Sequence, residues 1–205
     1  MLRRRESGVI GTLCVYAGSN LGDDPAYRIA AEQLAEAMAQ SGRRLVYGGS
    51  AIGLMGTVAD RMLMLGAVAI GVMPKGLILG EMVHPGLTKL IEVNGMHARK
   101  ETMNKLADGF IALPGGIGTF DELFEILCWA QIGLHHKPIG LLNAGGYFEP
   151  LLALIRHCVR HEFAHSSNLK LLVVSNNPND LLKQMDRWTP PVLGHKWRQI
   201  PNHRP

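Results

Sequence analysis

The sequence has little of what marks a secreted, membrane-bound or nucleic-acid-binding chain. Its 205 residues hold three cysteines, Cys14, Cys128 and Cys158, with no CxxC pair and no even-numbered framework. This excludes a disulfide-stapled scaffold, and because each cysteine lies in an apolar strand or helix pattern, all three read as reduced core residues of a cytoplasmic protein. No run approaches the roughly 18 apolar residues of a membrane span, and no apolar stretch long enough for a signal peptide follows Arg3, Arg4 and Arg5. Membrane insertion and secretion are not expected. Charged residues make up only 19% of the chain against 47% hydrophobic, a globular and not a disordered composition. Much of the net charge of +4 sits at the ends, in Arg3 to Arg5 and in Lys196, Arg198 and Arg204. The body is nearer neutral, which argues against a nucleic-acid partner.

The standard nucleotide fingerprints are missing too. There is no GxxxxGK[ST] loop to support ATP or GTP hydrolysis. Gly116-Ile117-Gly118 continues into Thr119-Phe120-Asp121, not into the third glycine and distant acid of a dinucleotide site, so hydride chemistry is disfavoured. His161-Glu162-Phe163-Ala164-His165 does match HExxH, in which two histidines one helical turn apart bind zinc. No glutamate follows Glu162 anywhere in the chain, however, and Ser166-Ser167-Asn168 signals a helix ending. A polar helix end is the better reading, as is capping for His135-His136 before Lys137-Pro138.

What is present is an alternation of β-branched apolar runs with helix-period segments from end to end. It predicts an α/β fold: a Rossmann-like, doubly wound parallel sheet of about seven strands with helices on both faces. Strands are expected at 11–17, 44–47, 68–72, 89–93, 109–113, 138–142 and 170–174, and helices at 25–40, 54–65, 97–106, 119–134, 147–163 and 179–187. Residues 1–188 form a single nucleotide-binding domain, and 189–205 a proline-rich tail. The segment from Lys75 to Thr88, which carries Glu81 and His84, reads as a loop over the site.

In such sheets ligands bind beyond the carboxyl ends of the strands. Small residues recur there: Gly18-Ser19-Asn20, Gly48-Gly49-Ser50, and Pro114-Gly115-Gly116-Ile117-Gly118-Thr119. The last follows a strand and opens a helical pattern with Glu122 on its first turn. Its glycines admit close backbone approach, and the free N–H groups of the helix start attract an anion. Arg99 and Lys100 begin the preceding helix, where cations oppose the dipole unless an anionic ligand or a carboxylate compensates them. Met96 and Met103 flank Arg99, and one of them is expected to line the ligand.

Met96-His97-Ala98-Arg99-Lys100-Glu101-Thr102-Met103, with Leu113 to Glu122 and Trp129-Ala130-Gln131, resembles the LOG (LONELY GUY) family of cytokinin riboside 5′-monophosphate phosphoribohydrolases, long mislabelled lysine decarboxylases. The likeness spans most of residues 12–185. It implies hydrolysis of the N-glycosidic bond of a nucleoside 5′-monophosphate, either a cytokinin riboside 5′-monophosphate or AMP, to free base and ribose 5-phosphate. The family's catalytic arginine and glutamate fall on Arg99 and Glu122. Its nucleotide-binding positions fall on Glu81, Lys100 and Gly116, Ile117, Gly118 and Thr119, to which the same strand edge adds Gly115, Gly48, Gly49, Ser19 and Met96. The resemblance also implies a homodimer or an assembly of dimers. Two positions depart from the family: Ser50, where a third glycine is frequent, and Cys128, where relatives usually place a nucleotide-contacting threonine.

Cleaving a ribosyl C1′–N bond builds positive charge on the ribose. Glu122 is expected to stabilise that charge and to orient or deprotonate water, while Arg99 keeps Glu122 ionised and assists the leaving group or binds phosphate. No metal or organic cofactor is required. The rival reading is a non-catalytic nucleotide or molybdenum-cofactor carrier, since related folds hold similar Pro-Gly-Gly turns. A decarboxylase would need a pyridoxal phosphate lysine, and none of the lysines sits in a recognisable cofactor context.

Overall fold

The structure, a computed structural model, describes residues 10–76 and 83–192. Seven strands form one sheet in the order β4-β3-β2-β1-β5-β6-β7, and every pairing is parallel. The strands are β1 (Thr12–Tyr16), β2 (Arg44–Tyr47), β3 (Ala69–Pro74), β4 (Lys89–Val93), β5 (Gly109–Ala112), β6 (Ile139–Leu142) and β7 (Leu172–Ser175). The helices are α1 (Pro25–Gln40), α2 (Gly53–Met64), α3 (Met96–Leu106), α4 (Ile117–Gln131), α5 (Glu149–Arg160) and α6 (Pro178–Arg187). After β1 the chain builds outward to β4, then returns to place β5 on the other flank of β1. The switch point of the sheet therefore lies between the carboxyl ends of β1 and β5, where ligands bind in folds of this kind.

Strand β1 shows why its sequence reads as one continuous apolar run. Leu13 and Val15 join the core under α1, α2 and α6, while Cys14 and Tyr16 join the core under α3 and α4. With side chains alternating at period two, a strand buried on both faces has no polar side to show. Tyr16 and Phe110, on neighbouring strands, stack with centroids 6.1 Å apart beneath α4. At the start of α1, Asp24 accepts the Ala26 N–H at 2.8 Å and Pro25 takes the first helical position, a combination worth about 1 kcal/mol in capping.

The strands fall within two residues of where the sequence pattern places them, and the larger differences lie at helix ends. Helix α4 stops at Gln131, short of the expected Leu134. Gly133 turns left-handed (φ 81°), and the Leu134 N–H donates to the Trp129 carbonyl, a Schellman ending. Helix α5 is shorter than 147–163 at both ends. At its close the Phe163 N–H donates to the Cys158 carbonyl, with Glu162 itself left-handed (φ 61°). The HExxH run consequently lies beyond a helix end and its histidines share no helical face. Residues 166–171 form a 3-10 turn, which shortens the expected seventh strand at its start.

Of the three cysteines only Cys14 is buried. Cys128 is exposed on the outer face of α4 and Cys158 is half-buried, because helix periodicity places them off the core-facing stripe; the core assignment is corrected for both. Glu81 lies outside the described residues, as does the middle of the proposed loop and the tail beyond Val192. Among the described residues no helix is long and apolar enough to cross a membrane.

Candidate active site

Three backbone turns meet at the switch point. The Gly18 N–H donates to the Pro114 carbonyl at 3.0 Å and the Met55 N–H donates to the Gly18 carbonyl at 3.3 Å, so the turns after β1 and β5 and the start of α2 are tied together. A Cβ on Gly115 would stand 2.2 Å from Thr119 Oγ1 and 2.8 Å from the Gly18 nitrogen, which only glycine avoids. Ser19, Gly115 and Gly116 line a cleft of about 270 Å³ at this junction, walled by Tyr27 and Tyr147.

The turn Gly116-Ile117-Gly118-Thr119 forms the start of α4. Gly116 is the N-cap and no side chain caps this end, so the first-turn N–H groups are left for a ligand or water. Thr119 is buried. Because α4 starts at Ile117, Glu122 stands on its second turn and not its first; five residues at 1.5 Å place it roughly 7–8 Å along the axis from the helix start. That separation suits a molecule whose anion and reacting carbon are several bonds apart.

Arg99 approaches from α3. It is 7% exposed, and its Nη2 donates to the Gly48 carbonyl at 3.2 Å while Nη1 lies 3.7 Å from Met96 Sδ. Gly48 is fixed by this approach, since a Cβ there would lie 2.1 Å from Nη2. The buried Nε has no hydrogen-bond partner among the described residues. A buried donor left unmade costs about 1–3 kcal/mol, which marks it as a group awaiting a ligand. Gly49 follows, its carbonyl accepting the His84 N–H at 2.9 Å. Met96 is exposed beside Arg99, whereas Met103 is core.

Lys100 is only 12% exposed and its Nζ pairs with Asp121 at 3.1 Å and Glu125 at 3.0 Å. Its charge is compensated by carboxylates of α4, one of the two alternatives its position allows. The effect is to brace α3 against α4, setting Arg99 and Glu122 in the same neighbourhood. Asp121 and Glu125 were not singled out from the sequence; their i, i+4 spacing is the signal that could have found them.

Glu122 has its pKa raised to about 7, first by burial and secondarily by the charges of Asp121 and Glu125, against the lowering influence of Arg99 and Lys100. Arg99 does not hold it fully ionised: desolvation outweighs the cation, and no ion pair joins the two among the described residues. At neutral pH Glu122 divides between carboxylate and acid, the condition for proton transfer in both directions. Cys128 lies on α4 with its side chain outward. Ser50 is buried, its carbonyl accepting the Tyr47 hydroxyl at 3.2 Å. Among the described residues no group of three or more histidine, cysteine, aspartate or glutamate side chains is placed to hold a metal ion.

Comparison with known proteins adds to this geometry. A family model described as "Possible lysine decarboxylase" matches residues 55–185. The chain is 40% identical over 179 residues to the probable cytokinin riboside 5′-monophosphate phosphoribohydrolase LOGL5 of Oryza sativa subsp. japonica, covering 87% of this chain and 73% of that one. It is 39% identical over 178 residues to cytokinin riboside 5′-monophosphate phosphoribohydrolase LOG2 of Arabidopsis thaliana, covering 87% and 84%. Among solved structures, the molybdenum cofactor carrier protein of Chlamydomonas reinhardtii superposes with TM-score 0.66 at 17% identity, over 87% of this chain and 97% of that one. The molybdenum cofactor binding protein of Rippkaea orientalis gives 0.65 at 20%, over 86% and 96%. At such identity these two structures speak to the fold alone.

Proposed function

The chain belongs to the LOG family of phosphoribohydrolases, hydrolases of N-glycosyl bonds, and on that premise we propose that Glu122 and Arg99 release the base from a nucleoside 5′-monophosphate. The substrate is a cytokinin riboside 5′-monophosphate, AMP or both, and the products are free base and ribose 5-phosphate. The observation that carries this assignment is a half-buried carboxyl, its pKa pushed up to about 7 by desolvation, on the helix whose uncapped start faces the switch point, beside a buried guanidinium whose Nε has no partner among the described residues. The 5′-phosphate takes the N–H groups of Gly116 to Thr119, and the ribose extends toward Glu122. As the C1′–N bond lengthens, the carboxylate stabilises the cationic sugar and draws a proton from the attacking water. Arg99 presents its Nε to the substrate and keeps a positive charge near Glu122, favouring the carboxylate form. Holding the phosphate fixes the anomeric carbon against the carboxylate, so nucleosides without phosphate are poor substrates.

Lys100 acts here as the brace between the helices. A carrier of the same fold would bind its ligand without turnover, and such a task does not call for a carboxyl lifted to neutrality. We also place the active form in a homodimer or an assembly of dimers. Helix α5 carries Leu151, Leu152, Leu154, Ile155 and Val159 yet has no fully buried residue, and on α4 Ile117 is 88% exposed with Phe124 also outward, as is Ile132 just past its end. These are faces that a second copy would cover.

The test is incubation with AMP and with isopentenyladenosine 5′-monophosphate in EDTA, followed by chromatography for free base, with Glu122→Gln as control. Base release by the wild type and its loss in the variant are expected. Nucleotide binding by folded protein with no release from either substrate would sink the assignment in favour of a carrier. Light scattering on the same sample tests the dimer.

A further inference from the structure

The phosphate turn is held by a side chain of the cleft wall that is outside the reacting set. The Tyr147 hydroxyl donates to the Gly115 carbonyl at 2.5 Å. We propose that Tyr147 is a positioning residue that sets affinity for the 5′-phosphate by fixing the Gly115–Gly116 peptide, an inference that rests on the phosphate-turn assignment above. In a trans peptide the C=O and the following N–H point in opposite directions. With its oxygen on Tyr147, this peptide turns the Gly116 N–H away from the tyrosine, toward the opposite side of the turn. The preceding peptide is fixed in the same manner, because the Pro114 carbonyl accepts the Gly18 N–H at 3.0 Å. Without such anchors a Gly-Gly pair samples wide φ and ψ, and the peptide can rotate to present its oxygen, which repels an anion.

Tyr147 is itself held firmly. Its ring stacks on Phe120 of α4 with centroids 6.5 Å apart and meets Tyr27 edge-on at 5.5 Å and Phe148 at 5.2 Å. The Phe148 N–H donates to Asn143 Oδ1 at 2.7 Å, and Asn143 Nδ2 donates to Glu149 at 2.8 Å. The connection from β6 to α5 thus forms a strut from the sheet to the phosphate turn. The contact with Phe120 ties the same strut to the helix that carries Glu122.

Tyr147→Phe keeps the ring contacts and removes only the hydroxyl. With isopentenyladenosine 5′-monophosphate as substrate, KM and the inhibition constant for inorganic phosphate are both expected to rise about fivefold, about 1 kcal/mol at 1.4 kcal/mol per tenfold. The kcat should stay within about twofold and inhibition by free adenine should be unchanged, a pattern that general loosening would not give. Unchanged KM and phosphate inhibition in a folded variant would overturn the inference, as would equal weakening of phosphate and adenine. If the wild type turns over substrate but inorganic phosphate does not inhibit it, the phosphate-turn assignment fails and the inference falls with it. If the wild type shows no turnover at all, the proposed activity fails, and phosphate binding by calorimetry, compared between wild type and variant, decides the inference separately.

Discussion

Glu122→Gln is expected to abolish base release and, at the same time, to make the protein more stable at alkaline pH. The folded chain binds a proton at Glu122 with a pKa of about 7, against an ordinary value of 4.5. Between those values the folded state holds a proton that the unfolded state has lost, so stability falls as pH rises from about 4.5 to about 7 and is level beyond. At 1.36 kcal/mol per pH unit the whole interval amounts to about 3 kcal/mol. Glutamine has nearly the same shape and does not titrate, so the other ionisable groups largely cancel in the difference between variant and wild type. That difference should grow by about 2–3 kcal/mol from pH 5 to pH 8, enough to move Tm by about 5–10 °C in a domain of this size.

Urea denaturation of both proteins at pH 5, 6, 7 and 8 measures it directly. A constant difference across that range would refute the reasoning, because it would mean that water reaches Glu122 and burial does not control its titration. A difference that shrinks as pH rises would mean that Arg99 wins over desolvation. In either case Glu122 would not be a carboxyl suited to proton transfer near pH 7, even if the variant proved inactive.

Gly48→Ala places a methyl 2.1 Å from Arg99 Nη2, the movable end of a side chain; kcat/KM should fall on the order of 100-fold with Tm nearly unchanged, and full activity would show that Arg99 need not occupy its observed position. Lys100→Met removes one of the cations that lower the Glu122 pKa and frees α3 from α4. The lower limb of its pH–rate profile should therefore shift to higher pH, with kcat at pH 7 reduced several-fold, and an unmoved limb would count against the coupling. For the wild type, kcat/KM should rise with pH through about 7 and then level off, as expected for a required carboxylate in the free enzyme. Stopped assays across pH 5–9 would expose an opposite, acid-requiring profile.

The sheet was legible because a strand buried on both faces must be apolar throughout, and runs such as those at β1, β5 and β6 alternate with longer helix-period segments. Helix ends were less so. The close of α4 had a cue in Gly133, whose left-handed turn is cheap for glycine. That of α5 had a cue only further on, in Ser166-Ser167-Asn168; Glu162 adopts the same conformation (φ 61°) against its own preference, and the helix expected to run to 163 ends at Arg160. Cys128 shows a related limit. An apolar neighbourhood in sequence does not say which side of a helix faces the core, and here it faces outward.

At the site, Arg99, Glu122 and the glycine turns could be read because each carries a local signal: cations at a helix start against the dipole, glycines clustered at several strand ends, a carboxylate following a glycine-rich helix start. Tyr147 carries none. It follows Gly145 and Gly146 at the end of β6 and reads as the first residue of a helix, yet its hydroxyl spans 32 residues of sequence to reach the phosphate turn. The pKa of Glu122 is equally hidden, since it depends on its burial in the fold and on neighbouring charges, among them Lys100, which reaches two acids more than 20 residues away. Residues that touch a ligand leave a trace in sequence because ligand chemistry restricts their type. Residues that orient them can be of many types, and only the fold determines which one arrives. The Tyr147 hydroxyl is therefore the contact whose removal should weaken substrate affinity while leaving every family motif intact.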